Sequence, residues 1–324
     1  MKAALLGATG LEIAQADVPQ PGPEEVQVRV RAAALNRADL IMLSGRKHGG
    51  HGGTGAVLGL EWAGEVSALG SAVNEFKVGD RVMGSGKGAF AQFAVADRGR
   101  VLPLPNASLG FRDAACLPVA LQTMHDAVAT NGQMKPGQSV LILGASTGVG
   151  LLGLQIAKLL GASLVVGTST TQAKRERLAQ FGADLALDTN DEGWVSKVLE
   201  ASVGRGVDVV VDQLTGRLAS QTCAATAIGG RIVNVGRLAG MHADFDFDLH
   251  ALRRIQFIGV TFRTRSVQEV RDVTMRMKAD LWDALAAGKL RLPIDSVYPF
   301  DEAAAALAHM RSNAHFGKVV VDID

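Results

Sequence analysis

The segment SVLILGASTGVGLLGLQIAK, residues 139–158, joins an unbroken apolar run to a glycine-containing turn and an amphipathic helical pattern. A β-branched run with no polar alternation is a strand covered on both faces, and such strands belong to parallel sheets flanked by helices. Five further runs follow with helical patterns between most of them, namely SLVVGT, DLALD, VDVVVD, GRIVNVG and QFIGVTF. Six strands in this rhythm predict a doubly wound α/β fold over the middle of the chain.

Residues 1 to about 118 have a different texture. EVQVRVRAAA (25–34) alternates valines with Gln27 and Arg29, and WAGEVSAL, DRVMG and AFAQFAV follow as short strands separated by KVGD and SGKG. This is the pattern of a small antiparallel barrel. HGGHGGTG (48–55) reads as a mobile loop. After Thr261 a helix over about 267–287, the strand PIDSVYPF, an alanine-rich helix and a closing strand GKVVVDI remain. They are expected to return to the first domain, because a complete six-stranded sheet has no place for them. The expected domains are therefore 1–118, 119–260 and a return over 261–324.

The formal net charge of +1 and the 5% aromatic content lack the basic, aromatic surface that nucleic-acid binding requires. Cys116 and Cys223 lie among alanines and read as buried small hydrophobes. The start MKAALLGATG is too short an apolar run for a signal peptide, and Gln155 and Lys158 interrupt the longest apolar stretch. A cytoplasmic protein with no membrane association is expected.

The turn after the first parallel strand carries the chemistry. A dinucleotide-binding turn lets backbone N–H groups meet a pyrophosphate at a helix N-terminus. Here Ala145 and Thr147 occupy the first two glycine positions of that fingerprint and Gly150 the third, with Gly148 between. Thr147, Gly148, Val149 and Gly150 are the candidate pyrophosphate contacts. At the end of the second strand, Ser169 stands where an acid would grip the ribose hydroxyl of NAD, followed by Thr170, Lys174, Arg175 and Arg177. Hydroxyls and cations suit a 2′-phosphate, so NADPH is the expected cofactor. A solvated basic helix face is the other reading of Arg175 and Arg177.

With ALNRADL (34–40), LGLEWAG (58–64), VGDRVMG (78–84), GASTGVG (144–150), GRIVNVG (230–236), VTFRTR (260–265) and HFGKVVV (315–321) in order, the chain resembles the zinc-free quinone oxidoreductases of the medium-chain dehydrogenase/reductases over essentially its whole length. The resemblance implies a GroES-like β-barrel domain, formed by both chain ends, and a Rossmann doubly wound six-stranded parallel domain. Zinc-using relatives have cysteine at Asn36, histidine at Leu60 and a third cysteine near Ala120, and the four-cysteine lobe of structural zinc is missing. Three protein ligands are wanting, so no metal is expected, and Glu61 reads as a hydrogen-bonded structural acid.

Further roles follow from the same resemblance. Asn36 is the first choice for a substrate or nicotinamide contact, with a turn-forming asparagine as the other reading. Thr123, Val235, Gly236, Phe262, His315 and Lys318 are expected along the cofactor. Tyrosines of relatives fall at Thr189, on the adenine side, and at Lys47, in the substrate loop beside His48 and His51. Without zinc, hydride must pass to an acceptor that conjugation already makes electrophilic, a quinone or α,β-unsaturated carbonyl compound. The alternatives are an enoyl-thioester reductase and a non-catalytic NADPH-binding protein, RNA-associated or structural. Relatives pair their sixth parallel strands, so QFIGVTF is expected to build a homodimer, with a tetramer as the further possibility.

Overall fold

The computed structural model describes residues 1–7 and 10–323. They divide into two compact units, one formed by Met1–Val119 with Phe262–Asp324 and the other by Ala120–Thr261.

The second unit is the parallel sheet. Its strands stand in the order Leu185–Leu187, Leu164–Thr168, Ser139–Leu143, Val207–Asp212, Thr226–Asn234 and Gln256–Gly259, every neighbouring pair parallel. The order reverses at Ser139–Leu143, the position where open α/β sheets bind ligands at their carboxyl edge. All five side chains of Ser139–Leu143 are buried, as an apolar run inside a two-faced sheet must be. Leu141, Val166, Val210 and Ile232 pack with Trp194 in one core cluster. The expected helix over QAKRERLAQFG is broken into an α-turn, Gln172–Arg175, and a 3₁₀ turn, Leu178–Phe181.

The first unit carries a sheet ordered Ile294–Pro299, Lys318–Asp322, Glu25–Ala34, Glu61–Leu69, Arg81–Ser85 and Val101–Pro103, with Phe93–Asp97 also paired to Glu25–Ala34. All of these pairs are antiparallel except Ile294–Pro299 with Lys318–Asp322, which is parallel and bridged by the helix Ala303–Arg311. Val320 lies opposite Ala34 and Val321 opposite Ala33, so the last strand joins the long strand near the start of the chain. Trp62, Phe90, Val28, Leu58 and Val321 form the core of this unit. HGGHGGTG forms no helix or continuous strand and contains a tight turn. His48 and His51 exchange backbone hydrogen bonds at 2.9 and 3.2 Å in a one-pair bridge, made possible by glycines that take positive φ at 49 and 52. Among the described residues no helix is long and apolar enough to cross a membrane.

Candidate functional site

In the second unit, strand Ser139–Leu143 ends at Gly144, whose φ of 75° turns the chain toward helix Gly148–Leu159. Thr147 caps that helix, its hydroxyl accepting the Gly150 N–H at 2.9 Å. A Cβ at Gly150 would lie 2.7 Å from Ala145 Cα and from the Gly144 carbonyl. Glycine is thus required at the third fingerprint position, where helix and turn touch. The first two fingerprint positions tolerate Ala145 and Thr147. Among the described residues the N–H groups of Gly148 and Val149 meet no acceptor. Two open donors at the positive end of a 12-residue helix form an anion site.

Ser169 follows the end of strand Leu164–Thr168, 7% exposed, and its hydroxyl donates to Ser146 Oγ at 3.0 Å. Thr170 beside it is exposed and Lys174 is half-buried. Arg175 bonds the Ser169 carbonyl at 2.9 Å and Asp188 at 2.8 Å, so its guanidinium braces the strand end. Thr189 is buried next to Asp188, and Thr123 is half-buried in helix Pro118–His125. Val235 and Gly236 both give their N–H to the Asp212 carbonyl, at 2.8 and 3.1 Å. This ties the end of Thr226–Asn234 to the end of its neighbour.

The first unit answers what Glu61 is for. It is fully buried, and one oxygen accepts from Lys318 Nζ at 2.5 Å and Asn36 Nδ2 at 2.9 Å. The other accepts the Val119 N–H at 2.9 Å. Lys318, expected at the cofactor, belongs to this cluster. It is 4% exposed and spends its three ammonium protons on Glu61, the Leu35 carbonyl (2.8 Å) and Asn36 Oδ1 (3.3 Å). The Asn36 amide is fixed by the same two partners, and its N–H is held by Asp39 Oδ2 at 2.7 Å in a capping box at helix Arg37–Leu43. Asp39 is fully buried, and burial pushes its carboxyl up to about 7, against the pull of the Asn36 hydrogen bond and the Lys318 ammonium.

Zinc does not fit these residues. Leu60 offers no donor, Glu61 is neutralised by Lys318, and the buried Cys116 thiol donates to the Arg112 carbonyl at 3.2 Å. Burial drives that thiol well above its ordinary range, away from the thiolate that a metal needs. Among the described residues no group of three or more His, Cys, Asp or Glu side chains could hold a metal ion.

Lys47 is exposed, while His48 and His51 are half-buried. Burial lowers both imidazole pKa values, assisted by Arg263 and His51 at His48, and by Lys87 and Arg100 at His51. The shift favours the neutral imidazole at both. His51, Lys87, Val57, Phe93 and Val95 border a cavity of about 370 Å³ within this unit. Phe262 is half-buried under the Arg265 guanidinium, 5.0 Å from the ring centre, and the His315 ring lies 6.1 Å from that of His309.

Comparison with known proteins decides the family. Residues 22–106 match the family described as Alcohol dehydrogenase GroES-like domain, and residues 148–279 the one described as Zinc-binding dehydrogenase. A solved structure described as a probable oxidoreductase from Mycobacterium abscessus is 31% identical, with a TM-score of 0.84 over 100% of this chain and 99% of that one. The chain belongs to the medium-chain dehydrogenase/reductase superfamily, in its quinone-oxidoreductase-like branch. It is an oxidoreductase of that superfamily.

Two other members of this superfamily frame the question of substrate. The quinone oxidoreductase of Pseudomonas syringae pv. Tomato DC3000 is 28% identical, with a TM-score of 0.87 over 99% of both chains. CurK enoyl reductase is 26% identical, with a TM-score of 0.88 over 100% of this chain and 99% of that one. Among curated proteins, the mycocerosic acid synthase-like polyketide synthase of Mycobacterium tuberculosis is 31% identical over 315 residues. That match takes in 97% of this chain, which spans only 15% of the length of that relative.

Proposed function

We propose that this protein is an NADPH-dependent reductase that delivers hydride to a quinone or another α,β-unsaturated carbonyl compound without a metal. The observation that carries the reading is the helix N-terminus at Gly148 and Val149, with two unspent N–H donors beside the switch point of a parallel sheet. A dinucleotide pyrophosphate matches that site in charge and geometry. Ser169, Ser146 and Thr170 present hydroxyls where an NAD-binding chain has a carboxylate, and Lys174 adds a cation nearby in sequence, which favours the 2′-phosphate of NADPH.

When bound, the reduced nicotinamide would supply a proton and two electrons together as hydride, and the acceptor's carbonyl oxygen would take up the charge. The protein's own residues contribute orientation. In the cluster Asn36–Glu61–Lys318 each polar group already has its partner, which fixes the Asn36 amide. The Asn36 amide protons are spent on Glu61 and the Ala34 carbonyl, so water is the proposed proton source for the acceptor.

Spectrophotometric NADPH oxidation with a panel of quinones and enones tests the activity. Ser169→Asp should move the preference from NADPH toward NADH by at least about tenfold, the effect of placing a carboxylate against a phosphate. Unchanged preference would remove the argument for NADPH. A second reading, an enoyl-thioester reductase, is favoured by the similarity to CurK enoyl reductase and to a polyketide synthase. An enoyl-CoA panel separates the two. We also propose a homodimer built on the edge strand Gln256–Gly259, whose Phe257 is 44% exposed.

A further inference from the structure

A residue behind the glycine turn braces the threonine that caps helix Gly148–Leu159. Strand Val207–Asp212 lies beside Ser139–Leu143, with Asp212 opposite Leu143. Gln213 follows, 6% exposed, and its side chain turns back onto the neighbouring strand end. Nε2 donates to the carbonyls of Leu143 at 3.1 Å and Gly144 at 3.2 Å, and Oε1 accepts from the Thr147 hydroxyl at 3.0 Å. All three bonds thus go to one five-residue turn.

The Thr147 hydroxyl has a single proton. Gln213 Oε1 at 3.0 Å and the Gly144 carbonyl at 3.1 Å are its two acceptors, and both hold the hydroxyl in the rotamer whose free lone pair takes the Gly150 N–H, which is the cap observed. Gly150 is then spent, and Gly148 and Val149 remain for a ligand.

The backbone after Gln213 is held at unusual cost. Thr215 has φ 52° and ψ −143°, a region essentially reserved for glycine and disfavoured further by a β-branched side chain. Four hydrogen bonds pin it there, the two acceptors near its hydroxyl sharing one proton. Asp212 Oδ1 accepts the N–H of Leu214 and of Thr215, each at 2.8 Å. The Thr215 hydroxyl lies 3.2 Å from Asp212 Oδ2 and 3.0 Å from the Gly236 carbonyl, and receives a hydrogen bond from Asn234. Gly236 has no alternative here, since a Cβ would stand 2.6 Å from the Gln213 carbonyl. Strain maintained by this many partners at a strand's carboxyl end is the kind found where a neighbouring group must be aimed.

We propose that Gln213 is a positioning residue for the pyrophosphate of the dinucleotide, acting through Thr147, and that the strained Thr215 junction aims it. This rests on the dinucleotide-binding reading above. It leads to a specific expectation, because the pyrophosphate is common to NADPH and NADH while the 2′-phosphate is not.

The test measures dissociation constants for both dinucleotides in the full chain by fluorescence titration, together with the thermal midpoint without cofactor. Gln213→Leu should weaken NADPH and NADH by the same factor, about tenfold, the loss expected of an anion-site hydrogen-bond network. The NADPH-to-NADH ratio and kcat at saturating NADPH should stay within about twofold of wild type. Thr147→Ser, which keeps the hydroxyl, should bind like wild type. Thr147→Val and Gln213→Leu should combine less than additively, because both remove the same link.

Wild-type protein that binds neither dinucleotide sinks the functional reading and this inference with it. Wild-type binding with Gln213→Leu unaffected sinks the inference alone. Weakening explained by the unfolded fraction at the assay temperature, or confined to NADPH, also overturns it.

Discussion

Replacing Asp39 by asparagine should change how stability depends on pH, by an amount that follows from its setting. Asp39 is fully buried and its carboxyl is pushed up to about 7 in the folded protein, first by burial. In the unfolded chain it returns to about 3.9. A folded pKa above the unfolded one means that folding takes up a proton. The stabilisation is complete below about pH 4 and is lost as pH rises through about 7. Between about pH 5 and pH 8 the folded state holds close to one extra proton over about two pH units, at about 1.36 kcal/mol per unit, a loss of about 2.6 kcal/mol. Asparagine cannot ionise, and its side-chain oxygen can still accept the Asn36 N–H that Asp39 now holds at 2.7 Å. The difference in unfolding free energy between Asp39→Asn and wild type should therefore move in favour of the variant by about 2.6 kcal/mol over that range. Urea unfolding followed by tryptophan fluorescence, run on both proteins at each pH, measures it, and titrating groups that do not couple to Asp39 cancel in the difference. A gap constant within about 0.5 kcal/mol, or one moving in favour of wild type, would refute the reasoning.

Lys318→Met strands the fully buried Glu61 without its cation and should cost about 3–5 kcal/mol in urea unfolding at pH 7, and adding Glu61→Leu should recover much of that. Gly150→Ala forces a Cβ to within 2.7 Å of backbone atoms, so it should lower the melting temperature and weaken NADPH binding by at least tenfold, roughly, in a fluorescence titration. Phe257→Lys places a charge on the exposed face of the edge strand and should convert a dimer to monomer in sedimentation velocity without changing the melting temperature of the monomer.

The parallel sheet was legible because its strands are unbroken apolar runs, a pattern with few other uses. VDVVVD is Val207–Asp212 and EVQVRVRAAA is Glu25–Ala34, both to the residue. The partner of Glu61 was not legible. Lys318 is 257 residues away, and a lysine before a valine run carries no mark of burial. Its expected place at the cofactor rests on family resemblance, which carries over position along the chain and says nothing of what the ammonium touches. Gln213 was missed for a related reason. A glutamine after a strand reads as loop, and only the fold reveals the three carbonyl and hydroxyl partners that it meets. The bridge inside the HGGHGGTG loop was not legible either, because glycines that permit disorder equally permit the positive φ angles of a tight bridge.

The ion pair between Glu61 and Lys318 also orders events in time. A ribosome delivers Lys318 well after Glu61, with all of Ala120–Thr261 made in between. The second unit is contiguous and can close as soon as it leaves the exit tunnel. The first unit must wait with a carboxylate and the edge of strand Glu25–Ala34 uncovered until strand Lys318–Asp322 arrives. A nascent chain halted near residue 310 should thus resist protease in its middle third while remaining cleavable on both sides of it.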